Sequence, residues 1–135
     1  MKKKEKIFII DDDEIYIFLI KKSFEAVNIE NEVLSYLNGA DALDDILNMK
    51  KNQESLPGII LLDINMHIMD GWGFLLEFRK IQAEIPNKVP IYIVSSSVIN
   101  EDREKAKTFP EIISYLIKPI ALETLAAIIG NIPNH

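Results

Sequence analysis

Five polar side chains, scattered along the chain, are each preceded by an apolar run. Asp11 and Asp12 follow Ile7-Phe8-Ile9-Ile10, and Asp63 follows Gly58-Ile59-Ile60-Leu61-Leu62. Ser95 follows Ile91-Tyr92-Ile93-Val94, and Lys118 follows Ile112-Ile113-Ser114-Tyr115-Leu116-Ile117. If the runs are neighbouring strands, three carboxylates converge on one pocket. At about 4 Å each like-charge pair costs on the order of 4 kcal/mol at an effective dielectric of 20, so the pocket calls for a cation. Oxygen ligands without histidine or cysteine select a hard metal, Mg²⁺ first and Mn²⁺ or Ca²⁺ next. Lys118 adds a fixed positive charge and Ser95 a hydroxyl donor. With Asp63 as nucleophile, these groups suit in-line phosphoryl transfer to a carboxylate.

The elements that must position these groups are legible from their pattern. The run into Asp63 is short, branched and apolar on both faces, as central strands of parallel sheets are. Residues 7–10 read as a first buried strand, and residues 91–94 and 112–117 as a fourth and a fifth strand. Residues 32–37 alternate more and suit an edge strand, and this strand is the one with no polar group at its end.

Between the strands lie helical stretches. The first runs from Ile15 to Val27, with Leu19 or Ile20, Phe24 and Val27 near helical spacing and Asp13 able to cap its start. Ala40 to Met49 places Leu43, Ile46 and Leu47 inward. Residues 48–57 read as a polar connection. Asp70-Gly71 signals a turn. Trp72 to Ala83 carries Trp72, Leu75, Leu76 and Phe78 and stops at Pro86. Asn100 to Thr108 is charged and exposed. Residues 122–129 form a last helix with Gly130 as its cap. Five strands alternating with five helices imply right-handed parallel crossovers and a sheet covered on both faces. The site of such a sheet lies beyond the carboxyl ends of its strands.

Composition narrows the function classes. At 135 residues the chain reads as one domain that buries roughly two-thirds of its unfolded surface. A net charge of −6 argues against non-specific nucleic-acid binding, and the leading lysines read as a solvated tail. No apolar run approaches the roughly 20 residues of a bilayer span, and none near the start suits a signal peptide. The absence of cysteine removes disulfides and thiolate metal sites and is compatible with a cytoplasmic setting.

The chain resembles the receiver domains of two-component response regulators. The matching segments are Ile-Ile-Asp-Asp-Asp-Glu at 9–14, Leu-Leu-Asp-Ile-Asn-Met at 61–66 with Met69-Asp70-Gly71, Ile-Val-Ser-Ser-Ser at 93–97, and Tyr-Leu-Ile-Lys-Pro at 115–119. The resemblance implies an α/β flavodoxin-like fold with strand order 2-1-3-4-5. It implies phosphorylation of Asp63, with Asp11 and Asp12 as the acidic pair that helps Asp63 hold Mg²⁺. Asn65 then lends a backbone carbonyl to the metal, and Lys118 pairs with the phosphate. Ser95 turns toward the phosphoryl group and Tyr115 turns inward, which alters the surface around the fourth helix, the fifth strand and the fifth helix. A cis Lys118–Pro119 peptide is implied as well. Asn65 and Ser97 tune a slow self-dephosphorylation.

The implied partners are a sensor histidine kinase or histidine phosphotransfer protein and a downstream protein target, without direct DNA binding. Residues 1–135 are expected to form a single receiver domain with no output domain, as a monomer or a phosphorylation-dependent dimer. The sequence names neither the cognate kinase nor the pathway.

Two departures stand out. His67 occupies a position where the family usually has proline, and it reads as exposed and incidental. The 48–57 connection is longer than usual. Two other chemistries are weaker readings. A haloacid-dehalogenase-type phosphatase also uses an aspartate nucleophile, but it wants an acid–base aspartate two residues on, where this chain has Asn65. A flavodoxin-like cofactor binder needs a phosphate loop after the first strand, where Asp11-Asp12-Asp13-Glu14 repels phosphate. A docking module that is never phosphorylated would not need the whole set Asp11, Asp12, Asp63, Ser95 and Lys118.

Overall fold

The computed structural model describes residues 5–66, 68–86 and 88–131. Strands and helices alternate in the order β1 (Lys6–Ile10), α1 (Glu14–Ala26), β2 (Val33–Tyr36), α2 (Gly39–Lys51), β3 (Pro57–Leu62), α3 (Gly71–Gln82), β4 (Ile91–Ser95), α4 (Asn100–Ala106), β5 (Ile112–Ile117) and α5 (Leu122–Gly130). All strand pairs are parallel, and the sheet order is β2-β1-β3-β4-β5.

The two faces of the sheet explain why its central strands are apolar throughout. Phe8, Ile10, Ile60 and Leu62 pack against Leu43 and Ile46 of α2 and Phe74 and Phe78 of α3. Ile7, Ile9, Ile59 and Leu61 point the other way, onto Ile17, Ile20 and Phe24 of α1 and Leu125, Ile128 and Ile129 of α5. Alternate residues thus serve different layers, and each layer demands apolar side chains. β3 sits between β1 and β4 and is buried along its whole length. β2 is partly exposed throughout, as its edge position requires.

Several boundaries differ from the sequence reading. α2 continues through Lys51, because Met49 is buried in the core rather than part of a loop. The polar connection therefore shrinks to residues 52–56. Leu47 and Leu76 face outward, at 47% and 53% exposure, because Ile46 and Leu75 already fill the inward positions beside them. In α1 it is Ile20, not Leu19, that is buried. Gly130 lies inside α5, and Asn131 caps the helix. The cap expected at Asp13 is formed: its carboxylate accepts from the Ile15 and Tyr16 N–H groups at 3.0 and 3.1 Å. His67 lies outside the described residues.

Candidate functional site: a carboxylate cluster on the carboxyl edge

Register delivers the acidic residues. Ile10 of β1 pairs with Leu62 of β3, so Asp11 and Asp63 leave adjacent strands at the same level. The Asp63 N–H continues the ladder to the Ile10 carbonyl at 2.9 Å, and the Asp11 N–H reaches the Tyr36 carbonyl at 2.9 Å. The backbone therefore fixes both residues before their side chains make any contact. Asp12 joins them, and one carboxylate oxygen from each of the three lies within 4.8 Å of the others. Asp11 is 2% exposed and Asp63 6%, whereas Asp12 is half-buried.

Each buried carboxylate accepts a local N–H: Asp11 Oδ1 from Asp13 at 2.9 Å and Asp63 Oδ1 from Asn65 at 3.1 Å. These bonds orient the carboxylates without neutralising them. Lys118, brought in at the end of β5, supplies the positive charge. Its Nζ lies 2.7 Å from Asp11 Oδ2 and 3.5 Å from Asp63 Oδ2. The same Nζ sits 4.2 Å from the centre of the Tyr16 ring, a partner that the sequence reading missed. Tyr16 falls one turn into α1 after Asp13, and helical phase is the signal that could have aimed it at the strand ends.

Electrostatics record the crowding. Burial holds the Asp11 carboxyl above its ordinary value although Lys118 and the Asp13 N–H pull it down, and Asp63 adds to the rise. Burial, with Asp11 and Asp63 nearby, likewise pushes the Tyr16 phenol up. Three carboxylates against one ammonium leave the pocket negative. The donors are all oxygens, so the set fits a small hard cation.

Ser95 is fully buried and its carbonyl accepts from the Lys118 N–H at 2.9 Å. Its hydroxyl oxygen accepts from the Ser97 N–H at 3.1 Å, so it faces the β4–α4 loop. Tyr115 packs against a cluster containing Ile64, Ile93 and Ala106, and its hydroxyl donates to the Ser97 carbonyl at 3.0 Å. It is half-buried beside the site in the unphosphorylated chain. Lys118–Pro119 is cis. Asn65 is exposed beside Asp63.

Gly71 is a further residue the site needs. A Cβ there would lie 2.6 Å from Ile64 Cα and 2.7 Å from the Asp63 carbonyl oxygen. The Gly71 N–H instead bonds the Ile64 carbonyl at 3.1 Å, closing the loop after Asp63 against the start of α3. Ile68 in that loop has φ of 70°, a left-handed conformation costly for a β-branched residue.

A doubly wound parallel sheet with a lysine-bridged carboxylate cluster on its carboxyl edge defines the class: a phosphoacceptor switch. The response regulator receiver domain model matches residues 7–130, and the chain belongs to that family. It is 26% identical over 129 residues to the probable methanogenesis regulatory protein FilR2 of Methanothrix harundinacea, covering 96% of this chain and 81% of that protein. It is 30% identical over 123 residues to the sensor histidine kinase CheAY of Helicobacter pylori, covering 91% of this chain but 14% of that protein. The crystal structure of a two-component response regulator from Cytophaga hutchinsonii superposes with a TM-score of 0.84 at 26% identity, covering 97% and 98% of the two chains. The chain is a phosphoacceptor signalling module of two-component type, and neither the family match nor these relatives support the phosphatase alternative.

Proposed function

We propose that Asp63 is the phosphoacceptor, served by a divalent cation at Asp11, Asp12, Asp63 and the Asn65 backbone carbonyl, with Lys118 and Ser95 completing the site. The single observation that carries this reading is Lys118 Nζ poised between Asp11 and Asp63 in a pocket with three converging carboxylates. A bound Mg²⁺ or Mn²⁺ supplies positive charge for the phosphate oxygens. The chain's own residues do the rest. Asp63 Oδ2 bonds to phosphorus as the bond from phosphorus to the donor's histidine nitrogen or acyl oxygen breaks, the donor keeping that electron pair, while Oδ1 keeps the Asn65 N–H. Lys118 takes up the charge that accumulates on the transferred group, and burial excludes competing water. Ser95 then turns to the phosphoryl group, and Tyr115 reports that turn through Ser97.

This reading makes the chain a receiver rather than a turnover enzyme, because Asn65 cannot act as the acid–base group that a phosphatase needs. Ile15, Phe18 and Leu19 lie exposed on α1, and Leu122 is exposed at the start of α5 on the same side of the sheet. That apolar rim supports docking by a sensor histidine kinase or a histidine phosphotransfer protein, with output through a further protein and no direct DNA contact. No helix among the described residues is long and apolar enough to cross a membrane. We take the setting to be cytoplasmic, with the chain acting as one receiver unit, monomeric or dimerising on phosphorylation.

Incubation with Mg²⁺ and a small acyl phosphate, followed by intact-mass measurement, tests the reading. The unmodified chain gains one phosphoryl group and Asp63→Asn gains none. Equal labelling of the two, or no labelling from either an acyl phosphate or a kinase, would overturn it.

A further inference from the structure

Ser97 is the hub of the β4–α4 loop. Its N–H donates to Ser95 Oγ at 3.1 Å, and its carbonyl accepts from the Tyr115 hydroxyl at 3.0 Å. Its own hydroxyl donates to Asp102 Oδ2 at 2.6 Å and accepts from the Ile99 N–H at 3.4 Å. The proton of this hydroxyl and one of its lone pairs are therefore committed to the start of α4. A short hydroxyl–carboxylate bond is charge-assisted and roughly twice as strong as a neutral one. A neutral water near Asp63 competes poorly with Asp102 for that proton.

This arrangement bears on hydrolysis, and it rests on the reading of Asp63 as phosphoacceptor. In the step that ends the signal, a water oxygen bonds to phosphorus and the phosphorus–oxygen bond to Asp63 breaks. The carboxylate keeps the electron pair, and the water's two protons leave on dihydrogenphosphate. A side chain that orients the water speeds this step. Asn65 is exposed and free to do so, whereas the Ser97 hydroxyl is held elsewhere.

We propose that Asp102 is a positioning residue that lengthens the life of the phosphoryl group by holding the Ser97 hydroxyl away from the hydrolytic water. It touches no reacting atom itself. Its effect passes through Ser97, so its removal matters only while the Ser97 hydroxyl exists.

The test uses the full chain, phosphorylated with a small acyl phosphate and Mg²⁺, freed of donor, and followed by intact mass. Asp102→Ala should shorten the half-life about 3- to 10-fold, the range of one ordinary hydrogen bond to the water. Asp102→Asn, which keeps an acceptor but loses the charge, should restore most of the lifetime. Adding Ser97→Ala to Asp102→Ala should abolish the difference that Asp102→Ala makes alone. If Asp102→Ala fails to fold by circular dichroism, Asp102→Leu has a similar shape without an acceptor and takes its place. An unchanged half-life overturns the proposal. So does an equal effect of Asp102→Ala with and without the Ser97 hydroxyl, or an Asp102→Asn variant as fast as Asp102→Ala. Failure of the unmodified chain to take a phosphoryl group is a different result, and it removes the phosphoacceptor reading itself.

Discussion

Replacing Lys118 with methionine isolates the charge balance on which the site depends. Methionine keeps the aliphatic stem over Tyr16 and removes only the ammonium. That ammonium lies 2.7 Å from Asp11 and 3.5 Å from Asp63. Each attraction is gross about 5–6 kcal/mol at an effective dielectric of 20. Relief of ammonium desolvation returns several kcal/mol, and loss of one partner from a buried pair nets about 3–5 kcal/mol.

The variant is therefore expected to unfold about 3 kcal/mol more easily near pH 7 without divalent metal. The sign with pH follows from Asp11, whose carboxyl burial already holds above its ordinary value. A carboxyl raised in the folded state binds its proton more readily folded than unfolded. Its favourable contribution is complete below the unfolded value of about 4 and disappears as pH rises through the folded value. Without Lys118 that rise grows, so the deficit should be largest near pH 7 and shrink toward about pH 4. Millimolar Mg²⁺ should recover part of it by mass action. Urea unfolding followed by fluorescence of Trp72, the only tryptophan, reads all three conditions. Equal midpoints for variant and parent near pH 7 without metal would refute the account of Lys118 as the charge that balances the cluster.

Other sites give independent tests. Gly71→Ala forces a methyl within 3 Å of Ile64 and Asp63, so it should cost about 1–3 kcal/mol in urea unfolding and slow labelling of Asp63. Burial raises the Tyr36 phenol, and its hydrogen bond to Asp45 raises it further. Tyr36→Phe should thus delete a late-ionising phenol from the alkaline ultraviolet titration. The raised phenol's contribution is complete below the ordinary tyrosine value of about 10 and is lost as pH rises through the higher folded value, so the variant's stability deficit should begin to shrink only above about pH 10. Arg79 holds the Glu111 carboxyl below its ordinary value through paired bonds at 2.6 and 3.1 Å. A lowered carboxyl stabilises above its unfolded value and stops doing so as pH falls through the folded one. Glu111→Gln should therefore be less stable than the parent at neutral pH and indistinguishable from it in acid.

The sequence made the site legible because its residues mark strand ends. A buried parallel strand is apolar on both faces, so the first charge after it locates the carboxyl edge without knowledge of what packs where. Asp11, Asp12 and Asp63 follow such strands, Lys118 follows the partly exposed edge strand β5, and the structure gathers all four. Ser95 was placed correctly on the edge, but its hydroxyl contact belongs to the loop. Side-chain commitments of this kind depend on rotamers and on neighbours distant in sequence, which spacing does not encode. Ser97 and Asp102 are five residues apart, and nothing in their types announces the bond between them. Gly71 read as a turn residue, whereas its need is close approach to Ile64, a tertiary fact. Met49 and Leu47 show the same limit from the apolar side. Both lie near helical spacing, and only the packing of α2 on the sheet separates the buried one from the exposed one.

Charge counting links the two ligands that the site is proposed to take. Three carboxylates and one ammonium leave two negative charges in a pocket where Asp11 and Asp63 are almost fully buried. A divalent cation would cancel that excess. Phosphorylation then replaces the single charge of Asp63 with about two and adds three acceptor oxygens, so it restores the demand for positive charge. Each ligand therefore improves the site for the other, and the coupling must be equal in both directions. Lys118 cannot substitute for the cation, because one ammonium already divided between Asp11 and Asp63 has no second charge to give. The acidic cluster is thus a source of instability in the empty site and the source of coupling in the filled one.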